Sequence, residues 1–435
     1  MYRDAIKKLE KWKNSSKRKP LIVNGARQVG KTYILKEFGT KYYEKFAYIN
    51  MDNNTRMKEL FEGSFDTDRL IQGLKIESGV NIEPGNTLIV LDEAQEVLNS
   101  ISALKYFNEN ANEYHIIIAG SLLGITLHKG ISFPVGKVDF LNMYPLNFKE
   151  YLIALGKEDF AKIIEEKNED MLKIFSDEIK NCLREYYYVG GMPEVVSDYI
   201  TNKDYIQVRE IQNTILKDYE EDFSKHIPPD QIMKVKQIWD NFTSQISREN
   251  KKFVFGALKQ GARGSEYEEA INWLVNAGLL IKVNRVNTSK LPLSGYIDYN
   301  AFKIYFFDVG LLSAKNKLDA KTLLEKNKIF TEYKGALTEQ YVLTELISNY
   351  NLTPFYYTSE SKKYEIDFLI EYDSKVIPIE VKAEENIHAK SLKEFIEKNN
   401  TEINIRTSML DYKVNDKIIN IPLYSIGYFD KYIHG

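Results

Sequence analysis

The segment that most restricts this chain is Gly25-Ala-Arg-Gln-Val-Gly30-Lys31-Thr32, a complete GxxxxGK[ST] sequence. It follows the short apolar run Pro20-Leu-Ile-Val-Asn-Gly25 and precedes a helical pattern over Tyr33–Phe38. That order reads as a buried parallel strand, a glycine turn and the start of a helix. The spacing has a physical reason. Glycine at both ends of the loop lets successive backbone N–H groups curl around a phosphate at the positive end of the helix. Gly25, Ala26, Arg27, Gln28, Val29, Gly30, Lys31, Thr32 and Tyr33 are the expected binding residues, and ATP with Mg²⁺ the expected ligands. Lys31 would reach the β- and γ-phosphate oxygens, while the Thr32 hydroxyl would complete the magnesium shell.

Further apolar runs fit the same design. Lys45-Phe-Ala-Tyr-Ile-Asn-Met51 predicts a second strand, and Asn86-Thr-Leu-Ile-Val-Leu91 a third that ends in Asp92-Glu93. At this distance behind Lys31, Asp92 is expected to bind magnesium through water. Glu93 is expected to orient and deprotonate the attacking water. His115-Ile-Ile-Ile-Ala-Gly120-Ser121 predicts another buried strand with a polar tip. Ser121 has two readings, a group that meets the terminal phosphate or the N-cap of a helix beginning at Leu122. Strands alternating with helices require a parallel sheet with crossover connections, and such sheets bind ligands at the carboxyl ends of their strands.

The rest of the chain changes character twice. From Tyr144 to Asp230 helical periodicity dominates, as in Phe148–Ile153 and Met171–Tyr187, broken by Gly190-Gly191-Met192-Pro193. Gln231–Ser247 and Ser265–Asn276 read as amphipathic helices, the second stopped by Ala277-Gly278. Strand patterns follow at Leu279–Arg285 and Phe302–Asp308, the order of a winged helix. This stretch, Gln231 to Lys315, holds 12 Lys/Arg against 7 Asp/Glu, whereas Phe330 onward holds 12 against 17. DNA is thus the expected partner of the middle region through Lys251, Lys252, Lys259 and Arg263, although winged helices also serve as protein-contact modules.

Beyond Lys315 a long helix, Lys334–Asn349, carries Glu339. A hairpin pattern follows in Pro354–Thr358 and Tyr364–Ile370, and then the strand Lys375–Ala383 with Glu380-Val-Lys382. Asp367 and Glu380 would hold Mg²⁺ or Mn²⁺ at a strand end with Glu339 in support, and Lys382 would polarise the attacking water or the scissile phosphate. Glu-x-Lys occurs elsewhere in the chain, at Glu165, Glu178, Glu249, Glu332 and Glu360. Only Glu380 lies in a β-branched strand with an Asp-bearing strand upstream.

The whole chain has 435 residues, with 43% hydrophobic and 28% charged residues and a net charge of −3, values suited to several soluble domains. It holds one cysteine, Cys182, and no His/Cys spacing of a zinc site. No apolar run is long enough for a membrane span, so a cytoplasmic location is expected, with no membrane partner.

These residues resemble a bacterial and archaeal family of AAA-type ATPases fused to a C-terminal domain of unknown function with a PD-(D/E)xK endonuclease-like fold. The resemblance runs through Gly25–Thr32, Leu91–Gln95, Ile118–Leu123, Tyr144–Tyr151, Gly190–Glu194, Lys303–Asp308, Ile366–Phe368 and Glu380–Lys382. It implies an α/β fold in four parts: a P-loop parallel-sheet ATPase core at 1–145, a helical lid at 146–230, a winged-helix region at 231–315, and an α/β restriction-endonuclease-like domain at 316–435. It implies that Ser121 senses the γ-phosphate. Members often carry a Gly-Arg pair before Tyr-Pro-Leu, whereas this chain has Gly136-Lys137, a cation that cannot bind bidentately. Two functions fit this reading. One is an ATP-driven enzyme on DNA with a metal-dependent nuclease; the other is an ATP-dependent switch or scaffold whose nuclease-like domain binds partners without cleavage. Oligomeric state is left open.

Overall fold

Five short strands build the first sheet: β1 (Leu21–Asn24), β2 (Lys45–Asn50), β3 (Thr87–Asp92), β4 (His115–Ala119) and β5 (Asp139–Asn142). In the computed structural model they lie in the order β2-β3-β4-β1-β5, with every pairing parallel. The structure describes residues 1–121, 123, 133–246, 252–320, 331–359, 364–383 and 390–433. It divides into two compact units, Met1–Tyr144 with Asn276–Leu279, and Pro145–Val275 with Leu280–Gly435.

The sequence explains the first sheet. β3 and β4 are buried along their full length, as a parallel sheet covered on both faces requires. Ile89, Leu91, Ile116 and Ile118 share one apolar cluster with Phe61 from the helix Thr55–Glu62 and Phe107 from the helix Asn99–Asn110. Phe107 is fully buried, so its truncation to alanine would cost about 3–5 kcal/mol. β1 stands next to β4 and β4 next to β3, which brings the carboxyl ends of β1 and β3 to the same edge of the sheet.

The second unit is built on eight strands. They are β6 (Leu280–Val286), β7 (Ile297–Phe306), β8 (Phe355–Thr358), β9 (Glu365–Tyr372), β10 (Lys375–Val381), β11 (Ile405–Ser408), β12 (Lys413–Asn415) and β13 (Ile418–Pro422). Their order is β12-β13-β11-β10-β9-β8-β6-β7. The pairings mix parallel (β6 with β8, β10 with β11, β11 with β13) and antiparallel ladders. Val286, Phe355, Ile366, Leu369 and Phe395 form an apolar core here, Phe395 coming from the helix Lys390–Asn399.

The two strands expected as a wing are therefore not a separate ribbon. β6 bonds β7 on one side and, through Arg285 and Val286, β8 on the other, so backbone groups on both of its edges find partners. The expected amphipathic helices are present as Pro229–Ile246 and Gly264–Asn276, and Gly278 follows the second with φ 74°. Lys251 lies outside the described residues.

The region read as mostly helical, 146–230, is helical in the second unit, including Phe148–Ala154, Ser176–Val189, Pro193–Asn202 and Tyr205–His226. Its Gly-Gly-Met-Pro break has a clear cause. Gly190 ends one helix at φ 75°, where a side chain would be strained, and Pro193 opens the next at its first position. The turn is clamped by buried Asp308, whose carboxylate accepts N–H bonds from Gly191 (2.7 Å) and Leu311 (2.8 Å). Burial pushes the Asp308 carboxyl up to about 6, opposed by the backbone donors of Gly191, Leu311 and Gly310.

Candidate active site

The loop after β1 takes the conformation its glycines allow. Gly25 has φ 154°, and a Cβ there would stand 2.3 Å from the Met143 carbonyl oxygen. Gly30, at φ 90°, turns the chain into the helix Lys31–Tyr42, and Gln28 between them is also left-handed at φ 62°. Ala26 and Val29 are buried, whereas Tyr33 is exposed. The loop thus presents backbone N–H groups at a helix start, an arrangement suited to a phosphate.

Lys31 is nearly buried and donates to the carbonyls of Gly25 (2.8 Å) and Ala26 (2.7 Å). Burial pulls its pKa down to about 8, with Glu93 and Asp92 opposing that shift and Arg27 adding to it. Thr32 donates its hydroxyl to Asp92 Oδ2 at 2.6 Å, so the two residues expected on magnesium already touch. A hydroxyl and a carboxylate oxygen side by side are hard donors of the kind Mg²⁺ takes, and the residues fit that ion.

Glu93 follows Asp92 in a left-handed conformation, φ 55°, which points it away from the strand direction. Its Oε2 accepts from Gln95 Nε2 at 2.5 Å. The other amide atom, Gln95 Oε1, is buried without a hydrogen-bond partner, and a Cβ at Gly120 would stand 2.2 Å from it. Glycine at position 120 therefore makes the room that Gln95 occupies. Ser121 is buried beyond the end of β4, and its Oγ accepts from Arg27 Nε at 3.3 Å. The structure brings Lys31, Thr32, Asp92 and Glu93 together where the P-loop meets the end of β3, and sets Ser121 beside Arg27 of the loop. Leu122, through which the N-cap reading of Ser121 runs, lies outside the described residues. Lys137 pairs with Glu109 at 3.0 Å.

Two neighbours went unread in the sequence. Tyr48 donates to Asp92 Oδ2 at 2.9 Å, and burial followed by Asp92 raises its phenol well above the ordinary range. Its signal was a hydroxyl set inside an apolar strand. Gln95 was visible as an amide three residues after the Asp92 strand end, yet only its side-chain direction gives it meaning.

In the second unit the residues expected on a metal are near one another but otherwise engaged. Glu339 accepts from the Tyr305 hydroxyl at 3.1 Å, and Asp367 accepts from the Val381 N–H at 2.8 Å. Glu380 Oε1 pairs with Lys382 at 2.9 Å, while its Oε2 is buried without a hydrogen-bond partner. Arg406, on the strand beside Glu380, is lowered by burial and raised by Glu380. Lys303 of β7, only 1% exposed, bonds Glu365 at 2.5 Å and lies 4.8 Å from the Tyr356 ring centre. Burial works against its charge, and the carboxylates of Glu365, Glu339 and Asp367 outweigh it, holding the ammonium above the usual lysine range. Among the described residues, no group of three or more His, Cys, Asp or Glu is placed to hold a metal ion. The expected C-terminal metal set of Glu339, Asp367 and Glu380 is thus not supported. Sequence reading missed Lys303 and Glu365; the signal was a lysine inside the apolar strand Phe302–Phe307.

Residues 17–152 match a family model described as an AAA domain. Residues 180–322 and 334–426 match two models described as domains of unknown function, DUF8612 and DUF4143. Solved structures similar to the chain include a Walker-type ATPase of Pyrococcus abyssi, 14% identical, covering 72% of this chain and 95% of that one with a TM-score of 0.44. Another is the Orc1 protein of Aeropyrum pernix in complex with DNA, 11% identical, covering 72% and 90% with a TM-score of 0.27. No curated protein matches the chain at the sequence level. Among the described residues no helix is long and apolar enough to cross a membrane. The first unit carries an ATPase-like P-loop core of the AAA type.

Proposed function

We propose that the first unit binds ATP and hydrolyses it with the help of Mg²⁺, and that the second unit responds to the nucleotide as a nuclease-like binding module. The observation that carries the first part is the meeting of Lys31, Thr32, Asp92 and Glu93 at one sheet edge. The loop N–H groups and Lys31 would bind the phosphates, Lys31 exchanging its carbonyl partners for phosphate oxygens. Thr32 and Asp92 would hold the magnesium ion, which when bound draws charge from the β- and γ-oxygens. Glu93, oriented by Gln95, would take a proton from water as its oxygen bonds the γ-phosphorus. The bridging P–O bond then breaks, and its electron pair leaves on the β-phosphate.

Lys31→Ala tests this directly. Loss of both nucleotide binding and phosphate release is expected; release at the wild-type rate would overturn the assignment.

A second reading gives the second unit nuclease activity on DNA, with Lys252, Lys259 and Arg263 as phosphate contacts. It is favoured by Asp367 and Glu380 standing on the adjacent strands β9 and β10, with Lys382 just past the end of β10. Incubation of supercoiled plasmid with Mn²⁺ and ATP, beside an Asp367→Ala variant, separates the two. Nicking by the wild type alone would support cleavage, and equal behaviour of both proteins would remove it.

A further inference from the structure

We infer that the Arg27 side chain supplies, from within the P-loop itself, the guanidinium that meets the γ-phosphoryl group as it is transferred. The inference rests on the ATPase reading above and deepens it. The backbone of residue 27 belongs to the phosphate-binding loop, and its side chain gains a catalytic task of its own.

Arg27 is the third residue of the loop, between buried Ala26 and left-handed Gln28, and is itself half-buried. Its Nε donates to Ser121 Oγ at 3.3 Å. Ser121 stands just past the end of β4, the strand that lies between β1 and β3 in the sheet. The arginine therefore reaches from the loop after β1 to the tip of the neighbouring strand, on the edge where Thr32 meets Asp92 at the end of β3. Lys31 feels it there: Arg27 is among the charges that act on the lysine ammonium, and it works with burial to weaken it.

Two like charges on one short loop repel, and an anion taken up beside both relieves that repulsion. Ser121 offers Arg27 a neutral oxygen just beyond the usual N–H···O distance, so exchange for a charged phosphoryl oxygen gives a stronger bond. The planar fork of a guanidinium can hold two phosphoryl oxygens at once, which the ammonium of Lys31 cannot. As the attacking oxygen bonds phosphorus and the bridging P–O bond breaks, charge spreads over the equatorial oxygens. Arg27 would bind those oxygens more strongly than it binds the ground state, and no proton leaves the guanidinium. Lys137, another cation of this unit, pairs with Glu109 at 3.0 Å and is given no part in transfer.

Full-length Arg27→Ala, Arg27→Lys, Ser121→Ala and Lys137→Ala proteins are compared with the wild type. The readouts are kcat, the ATP dissociation constant, and the tightening of ADP binding by aluminium fluoride with Mg²⁺, a probe that imitates the group in transfer. Arg27→Ala should lose about a hundredfold or more in kcat, and the aluminium fluoride effect with it, while ATP affinity stays within about threefold. Arg27→Lys keeps the charge without the fork and should fall at least about tenfold in kcat, which decides the matter if the alanine protein fails to fold. Ser121→Ala should lose less than Arg27→Ala, and Lys137→Ala should match the wild type. Three results would overturn the inference: wild-type turnover in either Arg27 variant, an Arg27→Ala defect confined to ATP affinity, or a Ser121→Ala protein that reproduces the whole loss, since Arg27 would then act only through Ser121. A wild-type protein without ATP turnover would end both readings, whereas turnover that survives both Arg27 changes ends this one alone.

Discussion

Gln95 holds Glu93 by a 2.5 Å hydrogen bond from its amide nitrogen, in a space that exists because residue 120 is glycine. In the proposed mechanism this bond restrains the carboxylate that acts on water, which would make Gln95 a positioning residue for hydrolysis and not for nucleotide affinity. Gln95→Met keeps the volume and removes the donor. It should lower kcat by about tenfold or more while leaving the ATP dissociation constant within about twofold. An unchanged kcat would show that Glu93 needs no such restraint.

On the proposed reading, Lys31 would link nucleotide binding to protons. Its pKa lies at about 8 in the folded protein, against 10.5 as the ordinary value, mainly because it is buried. Bound phosphates add negative charge and raise it again, so binding near pH 8 should take up about half a proton. Calorimetry in buffers of different ionisation enthalpy reads this directly, and Lys31→Met should abolish the uptake along with binding.

The same shift destabilises the nucleotide-free fold near neutrality. Between pH 8 and 10.5 the unfolded chain binds more protons at this site than the folded one, so stability rises with pH across that window. Below pH 8 the full deficit is present. Lys31→Met should therefore stabilise the nucleotide-free protein at pH 7, by about 1–3 kcal/mol, and the gain should shrink toward pH 10.5. Urea unfolding at the two pH values checks the sign.

Tyr48 shares Asp92 Oδ2 with Thr32. Removing the hydroxyl in Tyr48→Phe frees part of that oxygen, so the Mg²⁺ concentration for half-maximal ATP hydrolysis should fall by about two- to threefold. A rise instead would mean that the phenol orients the carboxylate.

Asp308 gives the second unit an opposite pH response from most acidic residues. Its pKa is raised to about 6 from 3.8, so the folded state binds the proton more tightly than the unfolded chain. The associated stabilisation is complete below about pH 4 and is lost as pH rises through 6. Asp308→Asn removes this dependence but sets an amide N–H against one of the backbone donors of Gly191 and Leu311, at a cost of about 1–3 kcal/mol. Chemical denaturation from pH 4.5 to 7.5 distinguishes the two effects.

Much of the first unit could be read before any coordinates. The runs that form β1, β3 and β4 are short, rich in Leu, Ile and Val, and followed by residues of the candidate site, and Gly25 and Gly30 adopt positive φ in the loop between strand and helix. The local pattern therefore carried these elements and the residues that gather at their ends. Gln95 and Tyr48 escaped because their importance lies in direction: a side chain leaving β2 reaches the tip of β3, which no spacing along the chain encodes. The second unit was harder for a related reason. Lys303 and Glu365 meet across 62 positions of sequence, and the partner of β6 is a strand some 70 residues downstream. Helix periods and strand alternation were visible there, but long-range pairing was not, and the winged-helix expectation failed to anticipate that the hairpin has a second neighbour.

That second neighbour has a consequence for how the protein must be made. Arg285 and Val286 pair with Tyr356 and Tyr357, so the ladder on that side of β6 cannot close until the ribosome has released β8. A chain ended after Lys315 would carry β6 with one row of amides and carbonyls bare, an invitation to pair with a copy of itself. Nascent chains paused in that interval are the ones for which a chaperone would matter.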